Sequence, residues 1–140
     1  MVRMATLLDK LPTPAAVRRR RAAERDARIM GSALIGMGVL HFAVPGPFDS
    51  IVPPEIPGDA RTLTYASGAA EAAIGVGLLV PRTRRLSATA AVALFVAVFP
   101  ANVNTLRLFK DKPLLLAGAV ARLPLQVPMI TTALRIRRES

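Results

Sequence analysis

Four stretches of this 140-residue chain are almost without charge, and each is about the length that crosses a membrane. Residues 29–48 (IMGSALIGMGVLHFAVPGPF) carry no Asp, Glu, Lys or Arg. Residues 62–81 (TLTYASGAAEAAIGVGLLVP) carry only Glu71, residues 86–106 (LSATAAVALFVAVFPANVNTL) none, and residues 113–134 only Arg122. An α-helix rises ~1.5 Å per residue, so about 20 apolar residues span a hydrocarbon core about 30 Å thick. Gly, Ala and Ser are frequent in all four, which suits close helix packing in lipid. Buried helices of a soluble bundle would carry amphipathic stripes, and only weak ones are visible. The expected fold is all-α: a four-transmembrane-helix bundle with spans at about 29–48, 62–81, 86–106 and 113–134.

The chain is 52% hydrophobic yet has a net charge of +10, and the placement of that charge sets the orientation. Arg3, Lys10, Arg18, Arg19, Arg20, Arg21, Arg25 and Arg28 precede the first span; Arg82, Arg84 and Arg85 follow the second; Arg135, Arg137 and Arg138 follow the fourth. The opposite side holds only Arg61, Arg107, Lys110 and Lys112. The positive-inside rule then places both termini in the cytoplasm. The expected organisation is a basic cytoplasmic segment (1–28), a transmembrane domain (29–134) and a basic tail (135–140), in a multi-pass protein of a bacterial cytoplasmic membrane. The first span is not expected to be a cleaved signal, since no small-residue cleavage site follows it. The run Arg18–Arg21 has no interleaved aromatics, so no nucleic-acid partner is expected; attraction to anionic lipid is the simpler reading. Without cysteine there is no disulfide or thiol chemistry, and one histidine is too little for a dedicated metal site.

Polar residues inside the spans mark the candidate site. Glu71 lies nine residues into the second span and Arg122 nine into the fourth, both roughly 13 Å below the outer boundary. A lone charge at that depth costs at least about 2.5 kcal/mol on insertion scales, so the two are expected to pair. His41, Tyr65, Asn102, Asn104 and Gln126 lie near the same level or above it. Pro100, Pro124 and Pro128 remove helix hydrogen bonds and free carbonyls that in lipid need other donors or a cavity. The expectation is a polar cluster of His41, Tyr65, Glu71, Asn102, Arg122 and Gln126 in the outer half of the bundle. The plainer alternative is a buried Glu71–Arg122 clip that only fixes helix register.

The outer loop PGPFDSIVPPEIPGDAR has five prolines between Pro45 and Pro57, which argue against a regular helix. Phe48, Ile51, Val52 and Ile56 are too apolar for a freely solvated loop, so it is expected to fold back as a lid over His41 and Asn102. Gly36, Gly38, Gly75 and Gly77 are expected at helix packing positions.

GMGVLHFAVPGPFDSIVPPEIPG, YASGAAEAAIGVGLLVPRTRRLSA, VFPANVN and RLPLQVP, in that order, resemble the DoxX-like family of small four-helix membrane proteins over about residues 31–128. The resemblance implies four helices and makes His41, Glu71, Asn102, Arg122 and Gln126 the motif positions. Family members are linked by name to quinol oxidase and thiosulfate:quinone oxidoreductase subunits, and some mycobacterial relatives to a membrane complex with superoxide dismutase and a sulfurtransferase. The Ala- and Arg-rich composition is similar to that of a high-GC actinobacterium.

No nucleotide loop or nucleophile elbow is present, so no reaction is specified. Two functions are expected from different classes. One is a non-catalytic accessory or scaffold subunit of a redox-associated membrane complex, with other subunits or a second copy as partner besides the lipid bilayer. The other is a membrane protein that binds a quinone or lipid-like molecule at the Glu-Arg-His cluster. No resident cofactor is expected beyond such a quinone.

Overall fold

Thr13 opens the first helix by accepting a hydrogen bond from the Ala16 N–H at 3.2 Å, and Pro14 occupies the first turn, where its missing N–H costs nothing. This computed structural model describes residues 11–140, so Arg3 and Lys10 lie outside the described residues. Helix α1 (Pro14–Ala43) runs unbroken through the boundary between the basic segment and the first apolar stretch. The chain then turns by 96° into a short helix, α2 (Pro45–Ile51). This corrects the expectation of a helix-free outer loop, and the first long helix ends at Ala43 rather than at residue 48. Pro45 and Pro47 fall in the first turn of α2, where proline is tolerated; only Pro53, Pro54 and Pro57 lie in non-helical chain.

Asp59 caps α3 (Ala60–Leu79) through the Thr62 N–H at 2.9 Å. Helices α4 (Arg84–Ala97) and α5 (Phe99–Leu108) are nearly one rod, interrupted at Val98 with Pro100 in the first turn of α5. Helix α6 (Pro113–Glu139) continues through Pro124 and Pro128. The fold is all-helical, with no strand among the described residues. Two rods are long and apolar enough to cross a membrane: Arg84–Leu108, with a mean hydropathy of 1.9 in its most apolar window, and Pro113–Glu139, with 1.5. The bent pair α1–α2 makes a third by length and composition. Helix α3, with Thr62, Thr64, Tyr65 and Ser67 in its first half and Glu71 just past its middle, is not among them.

The closest helix pair is α1 with α3, and glycine sets its spacing. Gly31 faces Gly75 and Gly38 faces Gly68 across antiparallel helices. A Cβ on Gly38 would lie 2.5 Å from the Gly68 carbonyl oxygen, and one on Gly75 would lie 2.6 Å from that of Gly31. The backbones therefore touch, as small-residue seams allow. Gly77 also packs closely, against Ser87, whereas Gly36 has nothing within 4 Å of an added Cβ and is not a packing position.

Helix α4 packs on α3 and α6, and the core gathers Ala27, Leu34, Leu78, Ala88, Ala91, Phe95, Ala133 and Ile136. At this end, buried Arg84 donates to the Leu78 carbonyl at 3.0 Å, closing the C-terminus of α3. Asp26 pairs with Arg135 at 3.2 Å and Arg19 with Glu139 at 3.5 Å, joining α1 to α6. Farther along, α1 and α6 part, and the gap becomes a cavity.

Candidate functional site

The cavity has a volume of about 680 Å³. Its walls are Ile29, Met30, Ala33, Leu34 and Met37 of α1, Leu94, Phe95 and Val98 at the α4–α5 break, and Leu125, Pro128 and Met129 of α6. Polar groups sit at its two ends. Asp26 and Thr132 mark one; Glu71, Asn102, Arg122 and Gln126 reach the other.

Glu71 and His41 share the glycine seam. Gly68, Glu71, Gly75 and Leu78 form one face of α3, and Gly31, Leu34, Gly38 and His41 the facing stripe of α1, both at helical spacing. The close approach brings His41 Nδ1 within 3.3 Å of Glu71 Oε2, with both side chains nine-tenths buried. His41 Nδ1 also lies 2.8 Å from the Met37 carbonyl oxygen. A carbonyl can only accept, so Nδ1 carries the proton and donates it to Met37. Glu71 Oε2 is left without a hydrogen bond, while Ser67 donates to Oε1 at 3.5 Å.

The second polar pair lies beside the helix break at Val98. Pro100 has no N–H to give, and the α4–α5 junction is irregular. Gln126 of α6 reaches across and donates its amide to the Phe95 carbonyl. Its own carbonyl accepts from Asn102 Nδ2 at 3.3 Å. Gln126 and Asn102 are both buried, and their amides close the break from the side.

Two expectations about the cluster are corrected. Arg122 does not pair with Glu71: it is exposed, and the two are not within ion-pair distance, although both border the cavity. The glycine seam draws Glu71 toward α1, and His41 occupies the place assigned to Arg122. Tyr65 is not part of the buried cluster. It is 37% exposed, stacks on Phe42 at 5.1 Å between ring centroids, and lies under the Arg61 guanidinium.

The loop after α1 covers this end of the bundle. Phe48 stacks on His41 at 3.9 Å between centroids. Asn104, rather than Asn102, holds the loop by donating to the Ile51 carbonyl at 3.1 Å. Asp49 pairs with Arg61 at 2.7 Å and Glu55 with Arg107 at 2.7 Å. The Thr64 hydroxyl beside Asp49, and then the Arg61 guanidinium, hold the Asp49 carboxyl below the usual carboxylate range. The hydroxyl approaches without the alignment of a full hydrogen bond. Glu55 is lowered by its own backbone N–H and then by Arg107.

Sequence reasoning missed Asp26 and Arg84, because both sit among basic residues that read as solvated flank. It also missed Gly31 and Gly68 as partners in the seam; their sevenfold spacing to Gly38 and Gly75 was the available signal. No group of three or more His, Asp or Glu side chains is placed to hold a metal ion among the described residues.

One family profile, described as a domain of unknown function (DUF8561), matches residues 30–137, which take in the glycine seam, the lid and all of the cavity lining except Asp26 and Ile29. The chain belongs to this family. No curated protein and no solved structure matches it.

Proposed function

We propose that this chain is a four-span, DoxX-like protein of a bacterial cytoplasmic membrane, with both termini cytoplasmic, that binds a lipophilic small molecule between α1 and α6. The observation that carries the reading is the cavity of about 680 Å³, apolar along its length, with Glu71, Asn102, Arg122 and Gln126 converging at one end. Small-molecule sites have this character: mostly apolar walls and a few convergent polar groups that fix orientation. Quinones and lipids are the candidate ligand classes. In this arrangement α3 is the second span, and its glycine seam with α1 shields Glu71 from lipid. Purification in mild detergent, followed by mass spectrometry of the extracted small molecules, tests the reading. A stoichiometric lipid or quinone, lost when the cavity is filled by Leu34→Trp, is the expected result. Extracts with no enriched molecule refute it.

A second reading, an accessory subunit of a redox-associated membrane complex, is supported by a different observation. Helix α1 begins at Pro14 and carries Arg18–Arg21 about 10–15 Å along its axis beyond Arg28, where the apolar stretch starts. The ion pairs to Arg135 and Glu139 brace this extension against α6. It forms a basic two-helix projection suited to an acidic partner. Co-purifying membrane-complex subunits, lost on replacing Arg18–Arg21 by Gln, are the expected result for that reading.

A further inference from the structure

The charges bordering the cavity are not equivalent. Asp26, at one end, is joined to Arg135 at 3.2 Å. Glu71 turns its open oxygen, which has no accessible surface to speak of, toward His41. Arg122 has no ion-pair or hydrogen-bond partner among the described residues, yet it lines the cavity. It stands nine residues into α6 from Pro113, roughly 13 Å along the axis. Snorkelling relieves arginines near helix ends, and this one is too deep for that route. The neighbouring amides are already engaged, since Gln126 accepts from Asn102 and donates to Phe95. The polar end therefore offers a ligand chiefly the five N–H donors of one guanidinium. At the opposite end Arg135 and Arg25 are already joined to Asp26, so among the described residues no free cation competes there for a negative head. From Arg122 to Thr132 the wall of α6 runs ten residues, about 15 Å, past Leu125 and Met129.

We infer that the cavity holds a single-chain amphiphile with a carboxylate head, docked on Arg122, and an alkyl tail lying between α1 and α6 toward Asp26. This rests on the ligand-binding reading above and adds the chemistry of the head and its direction. A guanidinium fork matches a planar carboxylate in two parallel hydrogen bonds, which a neutral alcohol or carbonyl cannot form. The ligand supplies the direct partner that Arg122 lacks among the described residues.

The test uses the whole protein in phosphatidylcholine nanodiscs, with dodecanoate, dodecanol and dodecylamine as probes and native mass spectrometry as the readout. One dodecanoate is retained per chain, about ten-fold more strongly than dodecanol, because hydrogen bonds to charged groups contribute on that scale. Arg122→Gln removes the preference, bringing dodecanoate retention down to that of dodecanol. Met129→Trp, which fills the tail region, weakens both probes, and thermal unfolding checks that each variant is folded. Equal retention of dodecanoate and dodecanol, stronger retention of dodecylamine, or an undiminished preference in Arg122→Gln overturns the inference and leaves the ligand-binding reading in place. Retention of none of the three overturns the inference too, and the ligand-binding reading is then decided by the extraction experiment above.

Discussion

Glu71 Oε2 lies 3.3 Å from His41 Nδ1, and that nitrogen gives its proton to the Met37 carbonyl instead. A buried carboxylate oxygen thus sits beside an imidazole without a hydrogen bond. Removing either side chain leaves the other more poorly compensated. Breaking comparable buried pairs in soluble proteins costs about 3–5 kcal/mol, whereas replacing both partners with apolar groups costs much less. His41→Leu and Glu71→Leu are each expected to lower the thermal stability of the detergent-solubilised protein, and the double variant to recover much of the loss. Arg122→Leu combined with Glu71→Leu should show the smaller coupling, since those two are outside ion-pair distance. A larger coupling for Glu71 with Arg122 than with His41 would reverse this assignment.

The glycine seam makes a sharper prediction, because one glycine serves as control for another. Gly38→Ala places a methyl group 2.5 Å from the Gly68 carbonyl oxygen, and overpacking of this kind costs about 1–3 kcal/mol. Gly36→Ala meets nothing within 4 Å and should be neutral or stabilising by up to about 1 kcal/mol. Thermal unfolding of the two variants side by side decides it. Equal effects would mean that α1 and α3 are not in backbone contact.

Orientation is open to chemical labelling. Ser50 on α2, Asp111 in the α5–α6 turn and Thr83 before α4 are all exposed. With no native cysteine, single cysteines report cleanly. Cysteines at Ser50 and Asp111 should react with an impermeant maleimide in intact cells, and one at Thr83 only after lysis. Labelling of Thr83→Cys alone in intact cells would invert the topology.

The lid should loosen in acid. Asp49 is held below the usual carboxylate range by the Thr64 hydroxyl and then by Arg61, and Glu55 by its own N–H and then by Arg107. For a carboxyl depressed in the folded state, the stabilisation is complete above its unfolded value, about 4. It is lost as pH falls through the lower folded value. Hydrogen exchange in residues 44–59 should therefore be flat from pH 7 to about 5, after correction for intrinsic rates, and accelerate below about 4. Asp49→Asn should show faster exchange there already at pH 7. Acceleration beginning near pH 6 would point to another group.

The apolar runs were plain in the sequence because charge-free length is itself the physical requirement for crossing lipid. The pairing of Glu71 was not, because equal depth says nothing about which way a helix face points. Gly68 and Gly75 flank Glu71 on one face and turn it to α1, and that rotation was readable only from both helices together. Arg122 and Gln126, one turn apart, looked equivalent, yet Gln126 is buried and Arg122 exposed. Position along α6 was legible for both; azimuth was not. The helix at Pro45–Ile51 is not legible from the number of prolines, because two of them fall where a first turn accepts them.

The bond from Gln126 to the Phe95 carbonyl joins residues 31 apart in the chain, and it bears on biosynthesis. Helices of a membrane protein leave the ribosome one after another. The rod Arg84–Leu108 is complete before Gln126 has been translated, so in the membrane arrangement proposed above it would enter lipid with a backbone acceptor at its break still open. An open carbonyl in hydrocarbon is unfavourable by several kcal/mol, which only a late-arriving donor relieves. The last helix is thus the closing strut of the assembly, and a chain truncated before residue 126 should be held by insertion chaperones or degraded as an unfinished product.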